Sequence, residues 1–266
     1  MTHYLEFAKN LCLDCGKIIK EGFSKEKSIQ AKSIADFVTE YDFLVESYVE
    51  NSISQTYPTH KFIGEETAAA NDNQALLTSE PTWIVDPIDG TNNFISRFPF
   101  CCISLALYID KQCVCAVVFN PILEELFTAS RGEGAYLNGN RISVCKYKDL
   151  ISSLVITGWG SDRNESNVRI KANNKLRILG KCRGLRSIGS AALSMCMIAN
   201  GQADAYLEQG INCWDMAAGF LIITEAGGVV ANPDGSPFDL MTPGVLCANH
   251  MDNVEAIASL IQVINY

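Results

Sequence analysis

The 266-residue chain is 48% hydrophobic and 19% charged, which is the composition of a globular protein long enough to bury a sizeable core. A net charge of −9 argues against a nucleic-acid-binding surface, because contact with the phosphate backbone requires clustered Lys and Arg. No apolar run approaches the length of a membrane span. We therefore expect a protein with neither a nucleic-acid nor a membrane partner.

The eleven cysteines occur mostly at apolar positions, and the N-terminal residues lack the basic segment and apolar core of a signal peptide. Reduced, mostly buried thiols in a cytoplasmic protein explain this pattern most simply. Cys12 and Cys15 have the spacing of a redox or zinc pair, but they lie on a helical pattern and no second pair accompanies them. We therefore expect a cytoplasmic protein without a zinc site.

The first part of the chain predicts two helices separated by an irregular connection. Apolar residues recur at helical spacing from Ala8 and end near Gly22. Residues 25–35 are polar and indicate a loop or an irregular hairpin. Thr39 then fits the N-cap of a second helix, with Asp42 as its capping-box partner. Spacing alone gives Asp42 this structural role.

Two apolar strands that end in acidic residues follow. The strand over residues 62–64 ends in adjacent glutamates, which by themselves are typical of solvated loop charges. Residues 83–94 are more informative, because a buried strand ends in Asp86 and Asp89 with Pro87 fixing the backbone between them. Carboxylates at the end of such a strand are where open α/β sheets tend to hold ligands.

The turn after this strand carries the candidate chemistry. Asp86, Asp89 and the Ile88 carbonyl could converge on one centre, and oxygen ligands suit a hard cation such as Mg²⁺. The amides of Gly90 and Thr91, at a predicted helix start, would suit a phosphate. A strand end followed by a simple aspartate N-cap is the alternative. The acidity of the chain favours a metal, because cations would reverse the local field around an anionic substrate.

Residues 89–91, Asp-Gly-Thr, also allow a comparison with the haloacid-dehalogenase phosphatases, whose Asp-x-Asp-x-Thr motif supplies an aspartyl nucleophile. Pro87 occupies the position that this motif requires for the nucleophile. The spacing therefore argues against a covalent aspartyl-phosphate mechanism.

The rest of the chain predicts a meander followed by alternating helices and strands. Strands are expected at residues 102–109, 112–119, 124–128, 153–157, 205–208, 229–230 and 245–248, with a hairpin turn at 138–139. Helices are expected around residues 168–176, 190–201, 213–226 and 254–261. No repeat or linker divides the chain, so we expect one domain over residues 1–266, with halves of about 1–150 and 151–266.

Three blocks of the sequence resemble the signature blocks of the inositol monophosphatase family, the lithium-sensitive, magnesium-dependent phosphomonoesterases. They are residues 64–67 (Gly-Glu-Glu-Thr), 83–91 (Trp-Ile-Val-Asp-Pro-Ile-Asp-Gly-Thr) and 214–219 (Trp-Asp-Met-Ala-Ala-Gly). The blocks occur in the family's order and approximate spacing, and the similarity runs from the first helix to the last. The resemblance implies an α+β layered αβαβα sandwich of the sugar-phosphatase type, hydrolysis of inositol monophosphate and, as in many members, a homodimer.

The resemblance also implies the metal ligands. Glu65, Asp86 and the Ile88 carbonyl would hold a first Mg²⁺, while Asp86 would share a second with Asp89 and Asp215. Glu65 would help to hold a third ion through water, so about two to three ions per site would follow. An aspartate that bridges two cations suits an in-line displacement at phosphorus.

Catalytic roles follow from the same resemblance. Thr91, paired with Asp42, would orient the attacking water, and Glu65 would assist it. Asp42 thereby acquires a catalytic role that spacing alone did not indicate. Lys32 is similar to a basic residue near the family's cleft entrance, where it would steady a loop or attract phosphate.

Substrate contacts are implied for Asp89, Gly90, Thr91, Ser161, Gly189, Ser190, Ala191, Glu208 and Asp215. Glu208 is the most informative, since a carboxylate accepts two hydrogen bonds from vicinal hydroxyls. Structural roles stay open: Glu208 as a strand-end charge, Ser161 as a turn residue, and Ser190 as a helix start. Asn92 departs from the family, which usually has Thr or a small residue there.

Relatives with the same metal blocks cleave fructose bisphosphate, NADP, 3′-phosphoadenosine nucleotides or histidinol phosphate. The compact chain disfavours the nucleotide branch. A non-catalytic regulatory or interaction protein on the same fold is an alternative of a different class, and it would predict the loss of a metal carboxylate. None is missing here, so we expect an inositol-phosphate phosphatase.

Overall fold

The computed structural model describes residues 2–70, 76–146 and 149–266. The small, polar residues 68–79 predict a flexible connection or a frayed helix, and part of that segment lies outside the described residues. The helices are α1 (Thr2–Ser24), α2 (Glu40–Thr56), α3 (Glu65–Ala70), α4 (Thr91–Ser96), α5 (Glu165–Leu179), α6 (Ala191–Ala199), α7 (Cys213–Glu225) and α8 (Met251–Leu260). The strands are β1 (Ile29–Ala31), β2 (Phe37–Thr39), β3 (Lys61–Gly64), β4 (Thr82–Asp89), β5 (Cys102–Ile109), β6 (Gln112–Asn120), β7 (Glu125–Ser130), β8 (Gly134–Leu137), β9 (Asn140–Arg141), β10 (Leu154–Thr157), β11 (Gly184–Arg186), β12 (Ala205–Gln209), β13 (Val229–Ala231) and β14 (Gly244–Ala248).

Strands of the first half form a seven-stranded sheet in the order β3-β4-β5-β6-β7-β8-β9. β3 and β4 are parallel and every later pair is antiparallel, which confirms the predicted meander. Asn138 and Gly139 both have positive φ (49° and 80°), as the turn of a tight hairpin requires. A separate antiparallel pair, β1 with β2, forms the irregular hairpin expected after the first helix.

Strands of the second half form a five-stranded sheet in the order β11-β10-β12-β14-β13. β10 is parallel to both β11 and β12, whereas β14 is antiparallel to β12 and β13. The parallel pairs bring the carboxyl ends of β10 and β12 to the same edge of the sheet. Residues that follow these two strands therefore lie close together.

The two sheets and the helices stack in five layers. α1 and α2 cover one face of the larger sheet, and α6 and α7 separate it from the smaller sheet. α5 and α8 cover the outer face of the smaller sheet. This order confirms the αβαβα sandwich. α6 and α7 are apolar on almost all sides because sheets lie on both of their faces.

α1, in contrast, buries only one face. Ala8, Cys12, Cys15 and Ile19 line that face and pack on the larger sheet, so the Cys12–Cys15 spacing reflects helical burial. Within the described residues, no helix has both the length and the apolar content that crossing a bilayer demands.

Candidate active site

The site begins at β4, whose eight residues are all buried. Side chains three apart on a regular strand point to opposite faces, but the pairing of β4 with β5 shifts register between Asp86 and Asp89. The irregularity turns both carboxylates to the same side. Asp215, at the start of α7, joins them, and one ligand oxygen from each of the three lies within 4.8 Å of the others.

Two helix starts hold these carboxylates in place. Asp215 is the third residue of α7 and accepts a hydrogen bond from the backbone N–H of Asn212 at 2.6 Å, closing a capping box. Asp89 accepts hydrogen bonds from the Ser190 hydroxyl and from the backbone N–H groups of Ala191 (3.2 Å) and Ala192 (2.8 Å), at the start of α6. The positive ends of both helices therefore face the acidic cluster.

The cluster is electrostatically strained without a cation. Burial raises the pKa of Asp86 and of Asp215 well above the usual range, and neighbouring carboxylates raise both pKa values further. Burial also raises the pKa of Asp89 to about 6, although its hydrogen bonds from α6 oppose that rise. Oδ1 of Asp86 is buried with no hydrogen-bond partner among the described residues. An unpaired buried oxygen within a set of carboxylates fits a hard cation.

Glu65 and Glu66 approach this cluster from the end of β3. Their side chains are 18% and 6% exposed, so they are not the solvated loop charges that the sequence pattern suggested. Lys32 donates to both glutamates, at 3.1 Å to Glu65 and 2.7 Å to Glu66. Burial lowers the pKa of Lys32, but the two carboxylates outweigh it and the net shift is upward. Lys32 thus ties the β1–β2 hairpin to the acidic site.

α3, which begins with Glu65, is anchored from below by Glu46 of α2. The buried Glu46 carboxylate accepts hydrogen bonds from the backbone N–H groups of Glu66 (2.8 Å) and Thr67 (2.7 Å). Glu46 therefore acts as a cap supplied by another helix and holds the first turn of α3 in place.

Asp42 makes the contacts that each of its two expected roles requires. Its Oδ2 accepts hydrogen bonds from the Thr39 backbone N–H (2.8 Å) and hydroxyl (2.6 Å), which completes the capping box of α2. Its Oδ1 lies 3.3 Å from the hydroxyl of Thr91, which also lies 3.0 Å from the Ile88 carbonyl. Burial raises the pKa of Asp42 to about 7.

A cleft of about 280 Å³ opens above the cluster. Among the sequence-predicted residues, it is lined by Glu65, Asp89, Gly90, Thr91, Ser161, Gly189, Ser190, Ala191, Glu208 and Asp215. Asp86, Ile88 and Asp42 lie buried beneath its floor. The structure therefore brings the predicted site residues together around one opening.

The floor of the cleft depends on a glycine. Gly90 precedes α4 with φ of 86°, a left-handed conformation that glycine adopts freely. A Cβ there would lie 2.8 Å from the Phe100 carbonyl oxygen and 3.1 Å from that of Gly189. Gly90 thus lets the turn after β4 approach the loop before α6.

Glu208 lies on the far wall of the cleft. Its carboxylate accepts hydrogen bonds from the Gly160 backbone N–H at 2.6 Å and from the buried Tyr206 hydroxyl. A Cβ on Gly158 would overlap the Glu208 carboxylate. Glu208 is therefore held in a fixed direction at the carboxyl ends of β10 and β12.

Several cleft residues were missed by sequence reasoning. Asn93 donates to the Ile188 carbonyl at 2.7 Å and the Phe100 carbonyl at 2.8 Å, and so holds the loop before α6 against α4. Asp36 and Trp159 also line the cleft. No motif surrounds Asp36 or Trp159 in the sequence. The only local signal for either residue was that Trp159 is an aromatic residue between two glycines.

Comparison with known proteins gives one consistent result. The chain matches the inositol monophosphatase family over residues 1–266. It is 42% identical to human inositol monophosphatase 1 over 262 residues, covering 98% of this chain and 94% of that protein.

Solved structures agree with the sequence comparison. The inositol monophosphatase from Anabaena has a TM-score of 0.84 and 28% identity, covering 98% of this chain and 97% of that one. SaIMPase-II, from Staphylococcus aureus, was solved with inositol monophosphate bound; it has a TM-score of 0.80 and 28% identity, covering 97% of this chain and 93% of that one.

Proposed function

The chain belongs to the inositol monophosphatase family, a family of metal-dependent phosphatases, and we propose that it hydrolyses inositol monophosphate to inositol and phosphate with Mg²⁺ as its cofactor. The observation that carries the proposal is the convergence of Asp86, Asp89 and Asp215 beneath a cleft whose far wall presents Glu208. Buried carboxylates that face one another raise the free energy of the folded protein through like-charge repulsion. A bound cation would remove that repulsion, so the cluster is consistent with a cation-dependent reaction.

Five residues would hold the metal: Glu65, Asp86, Ile88 through its carbonyl, Asp89 and Asp215. When bound, Mg²⁺ would neutralise these carboxylates and stabilise negative charge on the phosphoryl group. About two to three ions per site follow from the family resemblance.

Thr91 and Asp42 would prepare the nucleophile. The Thr91 hydroxyl can donate its hydrogen to Oδ1 of Asp42 while its oxygen accepts a hydrogen from a water molecule in the cleft. Asp42 thereby fixes the direction of the hydroxyl, and the water is held in one orientation toward phosphorus. Glu65, at the edge of the same opening, would accept a second hydrogen from that water.

The phosphate group would lie against the start of α4, at Gly90 and Thr91. The ring would extend toward Glu208 and Ser161, where the carboxylate would accept hydrogen bonds from ring hydroxyls. Gly189, Ser190 and Ala191 would border the ring. Since Ser190 and Ala191 already donate to Asp89, we propose that they affect the substrate mainly through that carboxylate.

Lithium sensitivity, a homodimeric assembly and a cytoplasmic location complete the proposal, and all three rest on the family resemblance and the sequence composition. Light scattering in solution would test the dimer.

Phosphate release from inositol 1-phosphate, with and without Mg²⁺ and Li⁺, tests the activity. We expect release that requires Mg²⁺ and falls with Li⁺. A parallel panel contains fructose bisphosphate, NADP, a 3′-phosphoadenosine nucleotide and histidinol phosphate. Activity confined to one of those would overturn the proposed substrate, and no activity on any phosphomonoester would favour a regulatory protein.

A further inference from the structure

Trp159 is the exposed tryptophan of this chain. Its relative exposure is 39%, whereas Trp83 and Trp214 are 0% and 5% exposed. It lies between Gly158 and Gly160 in the segment that follows β10, and it lines the cleft. Because it lines the cleft, this exposed ring offers a ligand an apolar surface on which to pack.

Two lysines of α5 hold this residue from behind. Lys171 is only 4% exposed and donates to the Trp159 carbonyl oxygen at 2.7 Å. Lys175, one turn later, places its Nζ 3.5 Å from the centre of the Trp159 ring and donates to the Ser187 hydroxyl at 3.2 Å. One face of the indole is thus in contact with a cation, and the ring orientation is fixed.

The lysines are held there at a cost. Burial lowers the pKa of Lys175 to about 8, and burial also lowers the pKa of Lys171. Both shifts mean that the charged ammonium groups are partly desolvated at this place.

Glu208 and Trp159 present complementary chemistry to the cleft. The carboxylate is fixed by the Gly160 N–H, so it is anchored one residue away from the indole. A carboxylate accepts hydrogen bonds from hydroxyls at the edge of a ring, whereas an indole packs against C–H groups on its face. A cyclic polyol offers both surfaces at once.

We propose that Trp159 is a specificity-determining residue, whose indole packs against the carbon face of a cyclic polyol while Glu208 binds the hydroxyls of the same ring. This inference rests on the proposed function and specifies that the cleft wall carrying Glu208 recognises the polyol ring of the substrate. An acyclic phosphate ester has no ring face and gains little from the indole.

The test compares kcat and KM for inositol 1-phosphate and for glycerol 2-phosphate, an acyclic ester. For Trp159→Ala and Trp159→Leu we expect KM for inositol 1-phosphate to rise about threefold to tenfold, the effect of one aromatic contact, with kcat nearly unchanged. KM for glycerol 2-phosphate should change by less than about twofold, since no ring contact is lost. Trp159→Phe should retain most of the wild-type preference because it keeps an aromatic face.

Tyr48→Ala is the matched control, because Tyr48 is 40% exposed on α2 and does not line the cleft. Its kinetics should match the wild type for both esters. Thermal unfolding of each variant shows that it is folded, and the leucine variant keeps apolar bulk if the alanine variant is unstable.

Equal KM increases for both esters in the Trp159 variants would overturn the inference, since they would indicate a general distortion of the wall. 2′-AMP serves as a third ester in the assay, because it carries a base on which an indole can stack. A KM increase for 2′-AMP without one for inositol 1-phosphate would also overturn the inference. A wild-type protein that does not hydrolyse inositol 1-phosphate contradicts the proposed function itself, and that result is separate from any difference between variants.

Discussion

The hydroxyl of Thr91 lies 3.3 Å from Oδ1 of Asp42, and this contact joins residues 49 positions apart in the chain. Thr91 begins α4 after the acidic turn, whereas Asp42 caps α2. The same carboxylate therefore stabilises a helix through one oxygen and directs a cleft hydroxyl through the other. Stability and proposed catalysis can be separated by altering Thr91 rather than Asp42.

Replacement of Thr91 by valine removes the hydroxyl at constant shape. We expect kcat for inositol 1-phosphate to fall about 10²-fold or more, the scale of a lost proton-handling group, while KM changes little. Thr91→Ser keeps the hydroxyl and should stay within about tenfold of wild type. Steady-state kinetics of the two variants test this prediction. Equal kcat values for Thr91→Val and Thr91→Ser would contradict the proposed role of the hydroxyl.

Replacement of Asp86 by asparagine should separate metal binding from stability. The variant removes one of the mutually repelling buried carboxylates, so the metal-free protein should become more stable. A gain of about 1 kcal/mol would raise Tm by about 2–4 °C. Mg²⁺ should raise the Tm of the wild type and not that of Asp86→Asn, because Asp86 would be a ligand of both the first and the second Mg²⁺.

Calorimetric scans with EDTA and with Mg²⁺ measure both effects. If Mg²⁺ still raised the Tm of Asp86→Asn as much as that of the wild type, Asp86 would not be a metal ligand.

The metal-free protein should lose stability as the pH rises. Burial raises the folded-state pKa of Asp42 to about 7 and that of Glu66 to about 8, both above the ordinary carboxyl range. A carboxyl whose pKa is raised by folding binds more protons in the folded state, so its contribution is complete below the unfolded pKa and disappears as the pH passes the folded pKa. The free energy of unfolding should therefore fall between about pH 4 and about pH 8.

Urea unfolding in EDTA at several pH values measures this dependence. Glu66→Gln should reduce the slope above about pH 6, since it removes the group with the higher pKa of the two. Excess Mg²⁺ should reduce the slope for the wild type, because a cation favours the charged carboxylates. Stability that rises with pH in EDTA would show that these carboxyl groups are not protonated in the folded protein.

Replacement of Gly158 by alanine should impair substrate binding by displacing Glu208. The new Cβ would overlap the Glu208 carboxylate, which must then leave the Gly160 N–H and the Tyr206 hydroxyl. We expect KM for inositol 1-phosphate to rise about tenfold or more, the scale of a lost charged hydrogen bond. Gly180→Ala is the control, because its Cβ would meet only ordinary contacts after α5. Equal KM values for the two variants would count against Glu208 as a substrate contact.

Asn92 has a structural role that the family comparison did not suggest. Its side-chain amide donates to the Ala35 carbonyl at 3.0 Å and so attaches the β1–β2 hairpin to α4. Because this contact is exposed, Asn92→Ala should cost only about 0.5–1 kcal/mol of local stability. Amide hydrogen exchange at residues 32–36 should be faster in the variant, with exchange in β4 unchanged. Unchanged exchange in the hairpin would show that the Asn92 amide does not hold it.

Local patterns in the sequence determined individual elements of the fold, including a buried strand and a helix cap. The apolar run before Asp86 predicted a buried strand, and β4 is buried throughout. The Thr39–Asp42 spacing predicted a capping box that the structure contains. Both features depend on residues within a few positions of one another, where backbone geometry alone decides which groups meet.

The tertiary structure decided which distant groups meet. Ser190 donates to Asp89 across 101 positions, and Lys32 reaches Glu66 across 34. The spacing of apolar residues shows which face of an element is buried, but it does not show which other element covers that face. For the same reason the two lysines behind Trp159 had no signal in the sequence, since their proximity to the indole exists only after α5 packs on the smaller sheet. The raised pKa values of the acidic cluster also arise only on folding, because burial and the approach of like charges produce them.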